Sequence, residues 1–204
     1  MPVNESYGSP WVLDLCSGFG GWTEGFIEDF LVVRVEINPL LQEVDFTVDY
    51  DVLEWIDWLD NLISYMGCTP FLITASPPCF EFSTARTWSQ GRVDMDPCMK
   101  ILEACIDIID RCNPDFWVIE NVRGACGHFL PYLGRHKQSI GPFFLWGKFP
   151  HISVPQGFKP RKTDNDTWSS NPLRANYKAI IPIEVSNGLL DSICSQRTLY
   201  QKWA

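Results

Sequence analysis

Two residues in this 204-residue chain have the types and setting for a nucleophile with an acid beside it. They are Cys79, in Ser76-Pro77-Pro78-Cys79-Phe80-Glu81-Phe82-Ser83, and Glu120, in Glu120-Asn121-Val122. Each lies at the end of an apolar run, residues 70–75 (PFLITA) and 116–120 (FWVIE), that reads as a buried strand. Pro77 and Pro78 hold the backbone stiffly ahead of a loop, which sets Cys79 at the edge of a sheet. A lone cysteine beside a turn is more often core filler, and a glutamate closing a strand is often only part exposed. At the ends of neighbouring strands the two together make a thiol and a carboxyl whose pKa burial would raise.

A third motif points to a ligand. Asp14-Leu15-Cys16-Ser17-Gly18-Phe19-Gly20-Gly21 joins the apolar run 11–15 (WVLDL) to a stretch that reads as helical to about Asp29. Glycines there allow close approach of backbone to a ligand, and a helix start offers free N–H groups. Glu36 closes the next apolar run, 31–37 (LVVRVEI), where a carboxylate can accept hydrogen bonds from a ribose diol. Turn and acid together describe a nucleoside-containing cofactor. The spacing is not GxGxxG, which speaks against a dinucleotide.

The elements that must position these motifs alternate. Residues 51–65 and 98–112 repeat apolar side chains at helical spacing, residues 143–146 (FFLW) read as a strand, and residues 182–195 read as a closing helix begun by Pro182. The pattern predicts an α/β fold, a mostly parallel sheet with helices on both faces and ligands at the carboxyl ends of its strands. The length fits one domain over residues 1–204, with 148–177, rich in Pro, Asn, Ser and Lys, as a short irregular insertion suited to reading a substrate.

Composition narrows the class. Eight cysteines show neither CxxC pairs nor zinc spacing and read as reduced thiols, so no metal is expected. With no membrane-length apolar run and no signal-like start, the protein is expected to stay where it is made, in a bacterial or phage-infected cytoplasm. A net charge of −9 opposes nucleic-acid binding on its face. Its distribution does not: residues 1–122 hold 5 Lys and Arg against 21 Asp and Glu, whereas residues 123–178 hold 9 against 2. The second block is either a solvated loop region or one wall of an anion-binding groove.

In this order and spacing, DLCSGFGG, SPPCFEFS and ENV resemble three conserved motifs of the cytosine-C5 DNA methyltransferases. VEIN around Glu36 is similar to the family's ribose-binding segment, DVLEW from Asp51 to its adenine-contacting turn, and Lys178 to Leu190 to its terminal motif in the form of small phage enzymes. The resemblance implies a Rossmann-like methyltransferase fold and S-adenosylmethionine as cofactor. Its contacts would be Asp14, Ser17, Gly18, Phe19, Gly20, Gly21, Glu36, Ile37, Asp51, Pro77, Lys178 and Ala179. The implied substrate is DNA with its target cytosine flipped out of the stack. Pro78, Ser83, Asn121, Arg86 and Arg161 would contact it, Cys79 would add to C6, and Glu120 would hold the proton-bearing carboxyl.

The chain departs from the family in three places. Phe80 stands where Gln commonly follows the catalytic cysteine, and the Gln-Arg-x-Arg segment is not recognisable, with Arg135 the nearest substitute and Arg161 the second. A full target-recognition domain has no room, so sequence recognition is expected to be short or relaxed and carried by residues 123–178. Lys178, pointing inward, would pair with a carboxylated S-adenosylmethionine and turn the reaction to carboxymethyl transfer; pointing outward, it is a surface or phosphate-binding lysine. The same chemistry on RNA or a free cytosine nucleotide, and a silent DNA-binding or decoy protein, are the competing readings. Intact Cys79 and Glu120 argue against the last.

Overall fold

The computed structural model describes residues 9–82, 95–160 and 170–203, with side chains as far as residue 196. Seven strands form one sheet: β1 (Trp11–Leu15), β2 (Leu31–Val35), β3 (Thr47–Val48), β4 (Leu72–Ala75), β5 (Phe116–Asn121), β6 (Gln138–Ile140) and β7 (Phe143–Lys148). Their order across the sheet is β3-β2-β1-β4-β5-β7-β6. The first five run parallel, whereas β7 is antiparallel to both β5 and β6. The α/β architecture expected from the alternating pattern is the one observed.

Alternation along the strands divides the core in two. Leu13, Leu15, Ile73, Ala75 and Ile119 face α1 (Trp55–Met66), α2 (Asp96–Cys112) and α3 (Cys126–Leu133), packing against Trp58, Leu59, Leu102, Cys105, Ile108 and Phe129. Val12, Leu72, Val118 and Leu145 face the other way, onto Trp22, Phe26 and the Val185, Leu189 and Ile193 stripe of α5 (Ile183–Trp203). A short helix, α4 (Arg174–Ala179), precedes α5. Pro97 starts α2, and Gly67 and Asn113 end α1 and α2 in the left-handed conformation, donating back to Ile63 and Ile109.

The helix expected after β1 does not form. Residues 18–29 are a chain of turns held by bonds three residues apart, Gly20 to Ser17, Thr23 to Gly20, Phe26 to Thr23 and Asp29 to Phe26. Glycines at 20, 21 and 25 each disfavour a helix by about 1 kcal/mol. Tertiary packing decides the rest: the Gly25 N–H donates to Ser186 Oγ of α5 at 2.9 Å, and Gly21 lies against the Ile181 backbone, where a β-carbon would come within 2.6 Å.

No helix among the described residues is long and apolar enough to cross a membrane. No group of three or more His, Cys, Asp or Glu among them could hold a metal ion. All eight cysteines are free thiols.

Candidate active site

Cys79 and Glu120 stand at adjoining carboxyl ends of paired strands. β4 and β5 are in register with Ala75 opposite Ile119, so the next residues up, Ser76 and Glu120, are neighbours. Glu120 is 7% exposed. Burial pushes its carboxyl up to about 8, against the lowering effect of a hydrogen bond with the Ser76 side chain, so it carries a proton at neutral pH. The Ser76 hydroxyl also accepts from Trp22 Nε1 at 3.1 Å. Burial pushes the Cys79 thiol up to about 11, with the nearby Glu120 carboxylate as the second cause. In the free protein the pair therefore holds both its protons.

The loop bearing Cys79 is fixed at both ends. Asn121, fully buried, donates from Nδ2 to the Pro77 carbonyl at 2.9 Å, while its Oδ1 accepts from the Val122 N–H. Beyond Cys79 a single 3-10 turn, Phe80–Phe82, closes with Phe82 N–H donating to the Cys79 carbonyl. The Phe82 ring packs edge-on against Phe129, which continues to Trp146 under β7.

The glycine turn lies at the same edge, since Ser17 N–H bonds to Val35 and Ser76 N–H to Leu15, one step beyond the strands. Gly18 N–H donates to Glu36 Oε2, and Asn38 N–H to Glu36 Oε1, both at 2.9 Å. Ser17 Oγ is buried with no partner, Ile37 is 57% exposed, and Asp51 caps the turn at 52–54 through Leu53 N–H. An orphaned hydroxyl, a carboxylate held only by backbone N–H groups and an apolar side chain open to solvent fit a nucleoside with polar ends. Asp14 sits beneath. It is fully buried, accepting from Thr74 and Thr23, and burial pushes it up to about 7 against the Thr74 bond and the Arg34 charge. Its carboxyl is engaged inside the protein, beneath the turn, and does not open onto the surface.

A family model of the C-5 cytosine-specific DNA methylases matches residues 11–130, a stretch that holds the turn, Cys79 and Glu120. The chain belongs to this family. Among solved structures it resembles a DNA modification methyltransferase encoded within an E. coli prophage, at 20% identity and a TM-score of 0.51 over 69% of this chain and 47% of that one. It also resembles the Entamoeba histolytica methyltransferase EhMeth, at 15% identity and a TM-score of 0.48 over 72% of this chain and 56% of that one. The chain thus spans about half the length of the solved structures it resembles. No curated protein sequence matches it.

Other residues expected from this methylase pattern fall in different places. Pro77 is buried and Pro78 half-buried beside Cys79, and Phe80, standing in for the family's Gln, is 51% exposed. Phe19 stacks on Tyr177 of α4 with ring centroids 4.5 Å apart, which brings the terminal segment over the turn. Lys178 lines a groove with Phe143, Phe158, Lys159 and Glu184, while Ala179 ends α4 in an exposed position. Arg135 is exposed between α3 and β6, two strands across from Glu120, and is not brought to the Cys79 pair. Ser83, Arg86 and Arg161 lie outside the described residues.

Sequence reasoning missed Ser76, Asn121's hold on Pro77, and Arg34. The signal for Arg34 was present, a cation inside the apolar run LVVRVEI two residues before Glu36 and so on the same side of the strand.

Proposed function

We propose that this protein methylates C5 of cytosine in DNA, using S-adenosylmethionine, through a covalent bond between Cys79 Sγ and C6 of the base. The supporting observation is the pair itself: a thiol beside a buried, proton-bearing carboxyl at the ends of β4 and β5, next to a turn that fits a nucleoside. S-adenosylmethionine, when bound, supplies an electrophilic methyl group. The Cys79 thiol gives its proton to solvent, and Glu120 donates its own toward the ring N3 as the resulting thiolate adds to C6, so the C5=C6 electrons move onto C5 and make that carbon nucleophilic. After alkylation, water takes the C5 proton, the C5–H electrons restore the C5=C6 bond and expel Cys79 as its thiolate, which is reprotonated from solvent, and the N3 proton returns to Glu120. Cys79 can reach C6 only with the base outside the helical stack, so a flipped cytosine enters beside half-buried Pro78, on the loop that Asn121 holds from beneath.

Charge placement supports DNA over a free nucleotide. Residues 35–82 contain no Lys or Arg and nine Asp and Glu, eight of them ahead of β4, in the stretch that runs from the end of β2 through β3 to α1. Among the described basic residues of 123–178, Lys137 precedes β6, Lys148 ends β7 and Lys159 shares a groove with Phe143 of β7, all toward the other end. DNA approaches from that end, and the short insertion at 148–177 gives it a short or relaxed recognition site. The position of Lys178, beside Lys159 and Glu184 in the groove, favours the ordinary methyl donor over a carboxylated one.

Incubation with methyl-labelled S-adenosylmethionine and, in parallel, duplex DNA, tRNA and dCMP tests the proposal. It requires label in the DNA as 5-methylcytosine, abolished in Cys79→Ser. Label in tRNA or dCMP alone, or no transfer by the wild type, contradicts it.

A further inference from the structure

Directly beneath the glycine turn is a buried arginine that no part of the reaction uses. Arg34, on β2, is 2% exposed and sits opposite Asp14 of β1. Its guanidinium reaches up into the turn. Nη2 donates to the Gly20 carbonyl at 3.1 Å and to Glu24 Oε2 at 3.1 Å, Nε to Thr23 Oγ1 at 2.9 Å, and Nη1 to the Asp45 carbonyl at 3.0 Å. Thr23 passes the contact on to Asp14, which Thr74 of β4 holds from the far side. The fit leaves no slack: Gly20 has φ +74°, and a β-carbon on it would lie 2.2 Å from the guanidinium carbon.

Glu36 completes the arrangement. It lies two residues on, just past the end of β2, and its carboxylate accepts from the Gly18 N–H. One strand and its end thus present an anion to an N–H and a cation to a carbonyl of the same turn, two residues apart on both sides. That pairing fixes the direction of the turn's peptide groups, and with it the orientation of Ser17, whose hydroxyl is buried without a partner. Of the partners, Gly20 and Thr23 are buried, Glu24 has a half-exposed side chain, and Asp45 is an exposed residue that accepts through its carbonyl. A buried arginine is costly unless it is fully bonded, and here every bond but the one to Asp45 serves the turn, directly or through Thr23 and Glu24.

We infer that Arg34 is a positioning residue for the cofactor: it holds the Ser17–Glu24 turn in its binding shape by bonding the Gly20 carbonyl and Thr23 from below. The inference rests on the reading of this turn as the S-adenosylmethionine site. Lysine cannot replace it, because a single ammonium head cannot span Gly20, Thr23 and Asp45 together.

Titration calorimetry with S-adenosylhomocysteine, which reads binding without turnover, tests it on the wild type, Arg34→Lys, Arg34→Gln, Ser17→Ala and the Ser17→Ala/Arg34→Gln double variant. Each is first checked for fold by circular dichroism. Folded Arg34→Gln should bind about tenfold or more weakly, Arg34→Lys in between, and Ser17→Ala should add nothing further once Arg34 is gone. Arg34→Lys carries the comparison should Arg34→Gln fail to fold. Wild-type affinity in a folded Arg34 variant, or independent and additive effects of Ser17 and Arg34, overturns the role of Arg34 and leaves the cofactor reading standing. A wild type that binds neither S-adenosylhomocysteine nor S-adenosylmethionine overturns both.

Discussion

The side-chain amide of Asn121 donates to the carbonyl of Pro77 at 2.9 Å, and through that bond the strand carrying Glu120 holds the loop carrying Cys79. Both groups are out of solvent, so the bond is a fixed strut between acid and nucleophile. Asn121→Ala leaves the carbonyl unpaired in the interior. It should cost about 1–3 kcal/mol of stability and, by loosening the loop, lower the methylation rate by roughly tenfold to a hundredfold. Binding of S-adenosylhomocysteine, at the neighbouring turn, should be unchanged. Chemical denaturation, single-turnover kinetics and calorimetry read the three effects separately.

A second close approach acts from the other side of the loop. A β-carbon on Gly124 would stand 1.9 Å from the Phe82 carbonyl oxygen, backbone that cannot swing aside as a side chain would. Gly124→Ala should therefore displace the 80–82 turn and Cys79 with it, destabilising the protein by about 1–3 kcal/mol and greatly slowing covalent addition. Gly127→Ala, three residues on, has open space around the new methyl group and should behave as the wild type in both assays.

The pH dependence follows from two raised pKa values, about 8 for Glu120 and about 11 for Cys79. The reactive arrangement, thiolate beside protonated carboxyl, has one proton fewer than the free pair below pH 8. Addition should then quicken about tenfold per pH unit up to about 8. Above that, Glu120 has lost its proton, the reactive and prevailing forms hold equal numbers of protons, and the rate levels off until the thiol titrates. Glu120→Gln should be much slower and should keep rising through pH 8. A stopped-flow profile of adduct formation between pH 6 and 10 checks the level region and its loss.

Much of this was readable before any coordinates. The five long strands and the helices at 55–66, 96–112 and 183–203 follow apolar periodicities that need no tertiary help. What was not readable depends on contacts distant in sequence. β3 and β6 have two and three residues and exist by pairing with β2 and β7. α3 carries Pro131 inside it and is held by Phe129 in the core. The turns at 18–29 look helical by pattern, yet Gly25 gives its N–H to Ser186, 161 residues away. In the site, the residue types and strand ends gave Cys79 and Glu120. Arg135 lies two strands from Glu120 because β7 crosses between β5 and β6, a placement that linear order does not contain.

Opposite charge at the two ends of the sheet makes a prediction about DNA. Reversal of Lys159 to Glu, in the groove beside Phe143 of β7, should raise KM for DNA with little effect on kcat and reduce the salt slope of binding by about one. Lys100→Glu, on α2, should leave both unchanged. Fluorescence anisotropy with duplex DNA across a salt series gives the slopes.

The central claim, that Cys79 bonds to C6 of cytosine in DNA while Glu120 supplies the proton, is tested most directly by trapping on duplex DNA containing 5-fluorocytosine in the presence of S-adenosylmethionine. The C5 fluorine prevents the final elimination, so the protein should be recovered bound to the DNA, with the attachment mapped to Cys79 by peptide mass spectrometry and lost in Cys79→Ser. An active wild-type protein that forms no such adduct, or one attached through another residue, would contradict it.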